Sequence, residues 1–232
     1  MEEARNLAIF CDFENIAIGV REAKHADFDI SLVLERLLDK GKIVLKKAYA
    51  DWESYKNYKR ALHEAAFEMI EIPHVTYSGK NSADIRLVVD ALDLCYTKSH
   101  VDTFVIMSGD SDFSPLASKL RENDKKVIGL GVRQSTSDLL VDNCDDFIYY
   151  DDLVKKKGGK RKAKGQKQAQ KQAIQQAGGA KDQKKEEVDA LEEKRLSALD
   201  LVLDTVEALF EERDDNVHAS VVKQTIKRKR PN

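Results

Sequence analysis

Four aspartates stand where a hydrolytic metal site would need them: Asp12, Asp84, Asp110 and Asp112. Asp12 directly follows the apolar run Leu7–Cys11. Ser108-Gly109-Asp110-Ser111-Asp112 directly follows another, Phe104–Met107. Asp84 opens a stretch of helical periodicity from Ala83 to Lys98. Like charges brought close either raise one another's pKa or recruit a cation. An all-oxygen set without Cys or His favours Mg²⁺ or Mn²⁺ over zinc. Such an ion activates water and stabilises the leaving oxygen of a phosphodiester. Each acid also has a plainer role. Asp12 could cap a turn and bind backbone amides together with Asn15, Asp112 suits an N-cap before Phe113, and Asp84 interacts favourably with a helix dipole. Capping accounts for one acid of the Asp110/Asp112 pair, but not for both together with Asp12.

The elements that must position these side chains follow from periodicity. Continuous apolar runs mark buried strands at Leu7–Cys11, Ile43–Ala50, Met69–Ile72, Phe104–Met107, Val127–Leu130 and Phe147–Tyr150. Between them, helical patterns cover Ser31–Asp39, Tyr55–Glu68, Ala83–Lys98, Phe113–Asn123 and Ser137–Asn143. This alternation predicts an α/β domain with a central parallel sheet and helices on both faces. In such sheets, sites form at the carboxyl ends of strands near the topological switch, where Asp12 and the Ser108–Asp112 turn are expected, with Gly109 permitting the turn to be tight. On the third helix, Ile85, Val88, Val89, Leu92 and Cys95 read as the buried stripe, which sets Asp84 at its N-terminal edge within reach of the sheet. Asp90 and Asp93 read as the solvated face, with Arg86 and Asp90 an i,i+4 pair.

Other chemistries find no support. There is no GxxxxGK[ST] loop, no GxGxxG after the first strand, and His25, His63, His74, His100 and His218 adjoin no nucleophile motif. Cys11, Cys95 and Cys144 are far apart and inside apolar runs, which fits a reducing compartment rather than zinc. No signal-peptide pattern opens the chain, and no apolar run approaches the ~20 residues of a membrane span. The expectation is a cytoplasmic protein without a membrane segment.

Of 232 residues, 34% are charged, and the net charge of −2 hides an asymmetry. Residues 1–152 carry −9, residues 153–185 carry +11, and residues 186–232 carry −4. Three regions follow: a folded domain over 1–153, a basic low-complexity linker over 154–186 read as disordered or weakly helical, and a helical segment over 187–232. Leu196, Leu199, Val202, Leu203, Val206 and Phe210 recur at helical spacing in the last region. A second helix is expected over Val217–Lys227, with Ser220 a candidate cap. The chain stops at Pro231-Asn232, short of a complete domain, which leaves a shortened sequence or a helical hairpin that needs a protein partner or self-association. The basic residues Lys155, Lys156, Lys157, Lys160, Arg161 and Lys162 form either a solvated tail or a segment drawn to phosphate backbones. Lys80, beside the acids, either touches a phosphate or pairs with a carboxylate. A polyanion is repelled by a domain at −9, and a tethered +11 segment would offset that.

Asp12-Phe-Glu-Asn15, Lys80-Asn-Ser-Ala-Asp84 and Ser108-Gly-Asp110-Ser-Asp112-Phe occur in an order and spacing that resembles the NYN domain, the LabA/DUF88 branch of PIN-like nucleases. Ser137 with Asp145, Asp146, Phe147 and Ile148 fits that family's last helix and strand, so the resemblance spans roughly residues 6–152. It implies a PIN-like fold and a metal-binding catalytic cluster at Asp12, Asp84, Asp110 and Asp112, supported by Asn15 and Ser108. It also implies an RNA-processing nuclease, RNA before DNA. Ala198–Asn232 is similar to the opening of an OST-HTH/LOTUS domain. Three readings follow: a metal-dependent endoribonuclease, a non-catalytic RNA-binding or scaffold protein on a nuclease fold, or a Mg²⁺-dependent phosphatase. Against the last, Asp12-Phe-Glu lacks the Asp-x-Asp nucleophile pair.

Overall fold

The computed structural model describes residues 5–72, 82–157, 183–212 and 219–230. They fall into two compact units, Met1–Leu37 with Gly41–Leu153, and Leu38–Lys40 with Val154–Asn232. The first holds β1 (Asn6–Asp12), α1 (Phe13–Glu22), most of α2 (Ile30–Lys40), β2 (Lys42–Ala50), α3 (Lys56–Glu64), β3 (Glu68–Glu71), α4 (Ser82–Thr97), β4 (Thr103–Met107), α5 (Ser114–Glu122), β5 (Lys126–Gly131), α6 (Asp138–Asn143) and β6 (Asp146–Tyr149).

All strand pairs are parallel, and their order is β3-β2-β1-β4-β5-β6. The chain therefore reverses direction across the sheet between β1 and β4, where a crevice opens at the strand ends. The central strands are buried on both faces, which is why they read as unbroken apolar runs: Leu7 to Cys11 and Phe104 to Met107 are all inaccessible. One set, with Ala8, Phe10, Phe104, Ile106 and Val127, packs with Leu87, Ala91, Leu116, Leu120 and Leu140 of α4, α5 and α6. Phe10 stacks on Phe104 at 6.0 Å. Right-handed crossovers put α1 to α3 on the opposite face. Each large aliphatic or Phe buried this way contributes about 1.5–3 kcal/mol.

Several elements depart from the periodicity. The apolar pattern does not predict α1: Ile16, Ile18 and Val20 around Gly19 suit a strand better than a helix by propensity. The Asp12 cap and the burial of Phe13, Ile16, Ala17 and Val20 override that preference. α3 stops at Glu64 rather than Glu68 because Ala66 turns left-handed. Among the described residues the same ending recurs three times: the N–H groups of His25, Phe67 and Lys125 reach back to the carbonyls of Val20, Leu62 and Leu120, with Lys24, Ala66 and Asp124 at φ 56°, 55° and 57°. These are Schellman closures without glycine. On α4 the buried stripe is Leu87, Ala91 and Cys95, whereas Ile85 and Val89 face outward, 62% and 55% exposed. Asp90 is no solvated residue. It accepts hydrogen bonds from Lys47 Nζ at 3.0 Å, the Tyr49 hydroxyl at 2.9 Å and Arg86 Nε at 3.1 Å. Burial pushes its carboxyl up, but the Lys47 and Tyr49 donors outweigh that and hold it below the usual carboxylate range. Asp93 is exposed, as expected.

A helix α7 runs over 150–157, followed in the second unit by α8 (Gln183–Glu212) and α9 (Ala219–Lys229). The described ends of the basic segment are thus helical, at 154–157 and from Gln183. Ser220 lies within the described part of α9 (Ala219–Lys229) rather than ahead of it as a cap, and the expected start at Val217 lies outside the described residues. Leu209, Thr205 and Thr225 are buried, whereas Leu199, Val202, Leu203 and Phe210 are exposed. No helix among the described residues is long and apolar enough to cross a membrane.

Candidate active site

β1 ends on Asp12, whose side chain is buried at 7% exposure. Its carboxylate accepts from the Asn15 N–H at 3.3 Å, capping α1, and from the Ser108 hydroxyl at 3.0 Å. It therefore both starts a helix and faces the neighbouring strand's end. Phe13, the next residue, is packed against Trp52, Tyr55, Tyr58 and Phe28 with ring centroids 5.0–5.9 Å away, which fixes the start of α1.

The β4 end answers from the other side of the crevice. Ser108 is wholly buried. Its hydroxyl oxygen accepts from the Asp110 N–H at 3.2 Å, and the Gly109 N–H donates to Asn15 Oδ1 at 2.8 Å. Asp110 then caps a single 3-10 turn, Ser111–Phe113, by accepting from the Asp112 N–H at 3.0 Å. The capping acid is thus Asp110 and not Asp112, which is exposed. Gly109 has no positive φ. Its requirement is steric: a Cβ there would collide with the Ser135 carbonyl.

One chain of hydrogen bonds thus ties Asn15, Asp12, Ser108, Gly109, Asp110 and Asp112 across the β1/β4 switch. Asp84, half-buried in the first turn of α4, joins them electrostatically. Burial raises the Asp12 carboxyl to about 7; the Asn15 and Ser108 bonds oppose this, while the Asp84 and Glu14 charges add to it. Glu14 is absent from the acids expected from the sequence. It sits in the first turn of α1 and accepts from the Asp51 N–H at 2.8 Å at the end of β2. Its spacing of two from Asp12 is the signal that could have found it. Among the described residues no group of three or more His, Cys, Asp or Glu side chains is close enough to hold a metal ion. What the fold brings together is a buried carboxyl, a second acid coupled to it, and a bonded turn carrying two more.

A groove of about 730 Å³ opens beside these acids, lined by Asp84 and Asp112 and by residues of α4, α5 and α6. A second groove, about 810 Å³, lies at the amino ends of β4 and β5, far from the acids, where Arg121 pairs with Asp145 at 3.1 Å. Of the expected cation positions, Lys155, Lys156 and Lys157 lie in α7. Lys80, Lys160, Arg161 and Lys162 lie outside the described residues.

The family model of the NYN domain matches residues 6–153. The uncharacterized protein MJ0482 of Methanocaldococcus jannaschii is 27% identical over 125 residues, 54% of this chain and 48% of that protein. The chain thus spans about half the length of this curated relative. The crystal structure of a protein of unknown function, VPA0982 from Vibrio parahaemolyticus, superposes with a TM-score of 0.58 at 28% identity, covering 66% of this chain and 97% of that one.

Proposed function

From the premise that this chain belongs to the NYN domain family over residues 6–153, a PIN-like nuclease family, we infer that it is a metal-dependent endoribonuclease. The observation that carries this reading is the buried Asp12 carboxyl at the β1/β4 switch, coupled to Asp84 and bonded to the Ser108–Asp112 turn. The donor set fits a hard divalent cation. Mg²⁺ takes one or two carboxylates and keeps waters for the rest, so Asp12 and Asp84 suffice to hold Mg²⁺ or Mn²⁺, with Asp110 and Asp112 beside them. The bound ion would supply an activated water and charge relief for the scissile phosphate. Ser108 and Asn15 orient Asp12 and the turn.

The substrate is read as RNA before DNA. The basic residues from Lys155 onward attract the phosphate backbone and offset the acidic domain. The chain's finer placement, in the LabA/DUF88 branch with the opening of an OST-HTH/LOTUS domain at its C-terminus, belongs to the same reading, as does a cytoplasmic location. The exposed Leu199, Leu203 and Phe210 of α8 supply a face for a protein partner or for self-association.

The test is cleavage of a mixed-sequence single-stranded RNA with Mn²⁺ or Mg²⁺. We expect cutting that disappears on chelation and in Asp110→Asn. An RNA bound but never cut would support instead a non-catalytic adaptor on a nuclease fold, a reading favoured only by the lack of a three-acid cluster among the described residues.

A further inference from the structure

α4 is apolar on two sides. Leu87, Ala91 and Cys95 face the sheet, yet Ile85 and Val89 stand 62% and 55% exposed, with Leu139 of α6 at 56%. Large aliphatics left to water in a group mark a contact surface. Here they wall the 730 Å³ groove that begins at Asp84 and Asp112, so anything seated in it has one end at the acids. Its size is that of a small-molecule pocket. Among the described residues no Lys, Arg or His lines it, and its two carboxylates, Asp84 and Asp112, repel a bare phosphate. Ser114, which also lines the groove, is 4% exposed, and its buried hydroxyl has no hydrogen-bond partner. An unsatisfied buried hydroxyl is costly and points to a missing polar partner.

We propose that this groove is a nucleobase subsite: it receives one unstacked base of the nucleic-acid strand whose adjoining phosphate lies at Asp12 and Asp84. A base has apolar faces for Ile85, Val88 and Leu139 and a polar edge for Ser114, and being neutral it is not repelled by Asp84 and Asp112. The inference rests on the nuclease reading for the position of the phosphate, but its readouts are binding readouts. A second copy of the chain is a poorer occupant, because a two-fold contact centred on the groove would bring Asp84 and Asp112 of both copies toward one another.

The experiment uses the full chain with Mg²⁺ and a short RNA carrying one photoactivatable thiouridine. Cross-links are expected within 85–89 and 139–143. Ile85→Ser and Leu139→Ser, both exposed enough to leave folding intact, should each weaken RNA binding about tenfold, or about 1.4 kcal/mol. An abasic nucleotide at the cross-linked position should lose the same factor and lose nothing more in those variants. Ser114→Ala should raise the thermal midpoint of the free chain while lowering RNA affinity. Tyr96→Ser, exposed on α4 outside the groove, should change nothing. Cross-links to the groove without any cutting uphold the subsite and sink the nuclease. Asp110-dependent cutting with cross-links elsewhere, or with additive abasic and variant losses, overturns the subsite and spares the nuclease. Variants that dissociate a dimer while keeping RNA affinity overturn it in favour of a second copy.

Discussion

At the scale of single residues, the first unit depends on polar groups that sequence spacing could not pair. Asp90 is the clearest: its partners Lys47 and Tyr49 lie on β2, some forty positions away. Removing it would strand the buried Tyr49 hydroxyl and leave Lys47 only its longer pair with Glu68 at 3.8 Å. Asp90→Ala should therefore cost about 2 kcal/mol, read from urea denaturation. The pH dependence follows from the depressed carboxyl. Its stabilising contribution is complete above the unfolded value near pH ~3.9 and is lost as pH falls through the folded value, so wild type and Asp90→Asn should converge in stability only in acid. Gly109 is the second case. Gly109→Ala must push back the 135–136 backbone, and because Gly109 also donates to Asn15 the variant should lose both stability and activity. Equal activity would disprove the steric argument. Asp12, Asp84 and the Ser108–Asp112 turn were legible because each adjoins the end of an apolar run or opens a helix. Glu14 was not, because its partner is set by tertiary pairing alone. Of the partners of Asp90 only Arg86, at i,i+4 spacing, was legible, while Lys47 and Tyr49 were not.

Among the elements, the strands were readable because a parallel strand covered on both faces must be apolar throughout. Helices were less so. α1 hid behind β-branched residues, and α4 offered two apolar stripes of which the sequence cannot say which meets the sheet. The three glycine-free Schellman endings give a separate handle. A non-glycine residue pays about 1–2 kcal/mol in the left-handed region, less for Asp, against the entropy that glycine adds to the unfolded chain. Ala66→Gly should thus raise stability by up to about 1 kcal/mol, and Asp124→Gly by less, measured by thermal melting. Destabilisation at Ala66 would show that its methyl packs rather than strains.

Considered whole, the sequence follows an acidic domain with a strongly basic segment: −9 over residues 1–152 and +11 over 153–185. If the second recruits the polyanion that the first repels, deleting 158–182 should weaken RNA binding across all sequences. It should also flatten the salt dependence by about 0.7 in log–log slope for each phosphate that is no longer neutralised. An unchanged slope would reassign the segment to solvation.

The double duty of Asp12 has a consequence for how such a protein could be made sturdier. Its carboxylate is both a helix cap and a buried charge opposed by Asp84 and Glu14. Asparagine keeps the cap and drops the charge; alanine drops both. Without divalent ions, Asp12→Asn should melt above wild type and Asp12→Ala below Asp12→Asn by about 1 kcal/mol. If Asp12 holds the ion of the proposed nuclease, the form silenced at Asp12 would outlast the active one, a stability–activity trade-off held in one side chain.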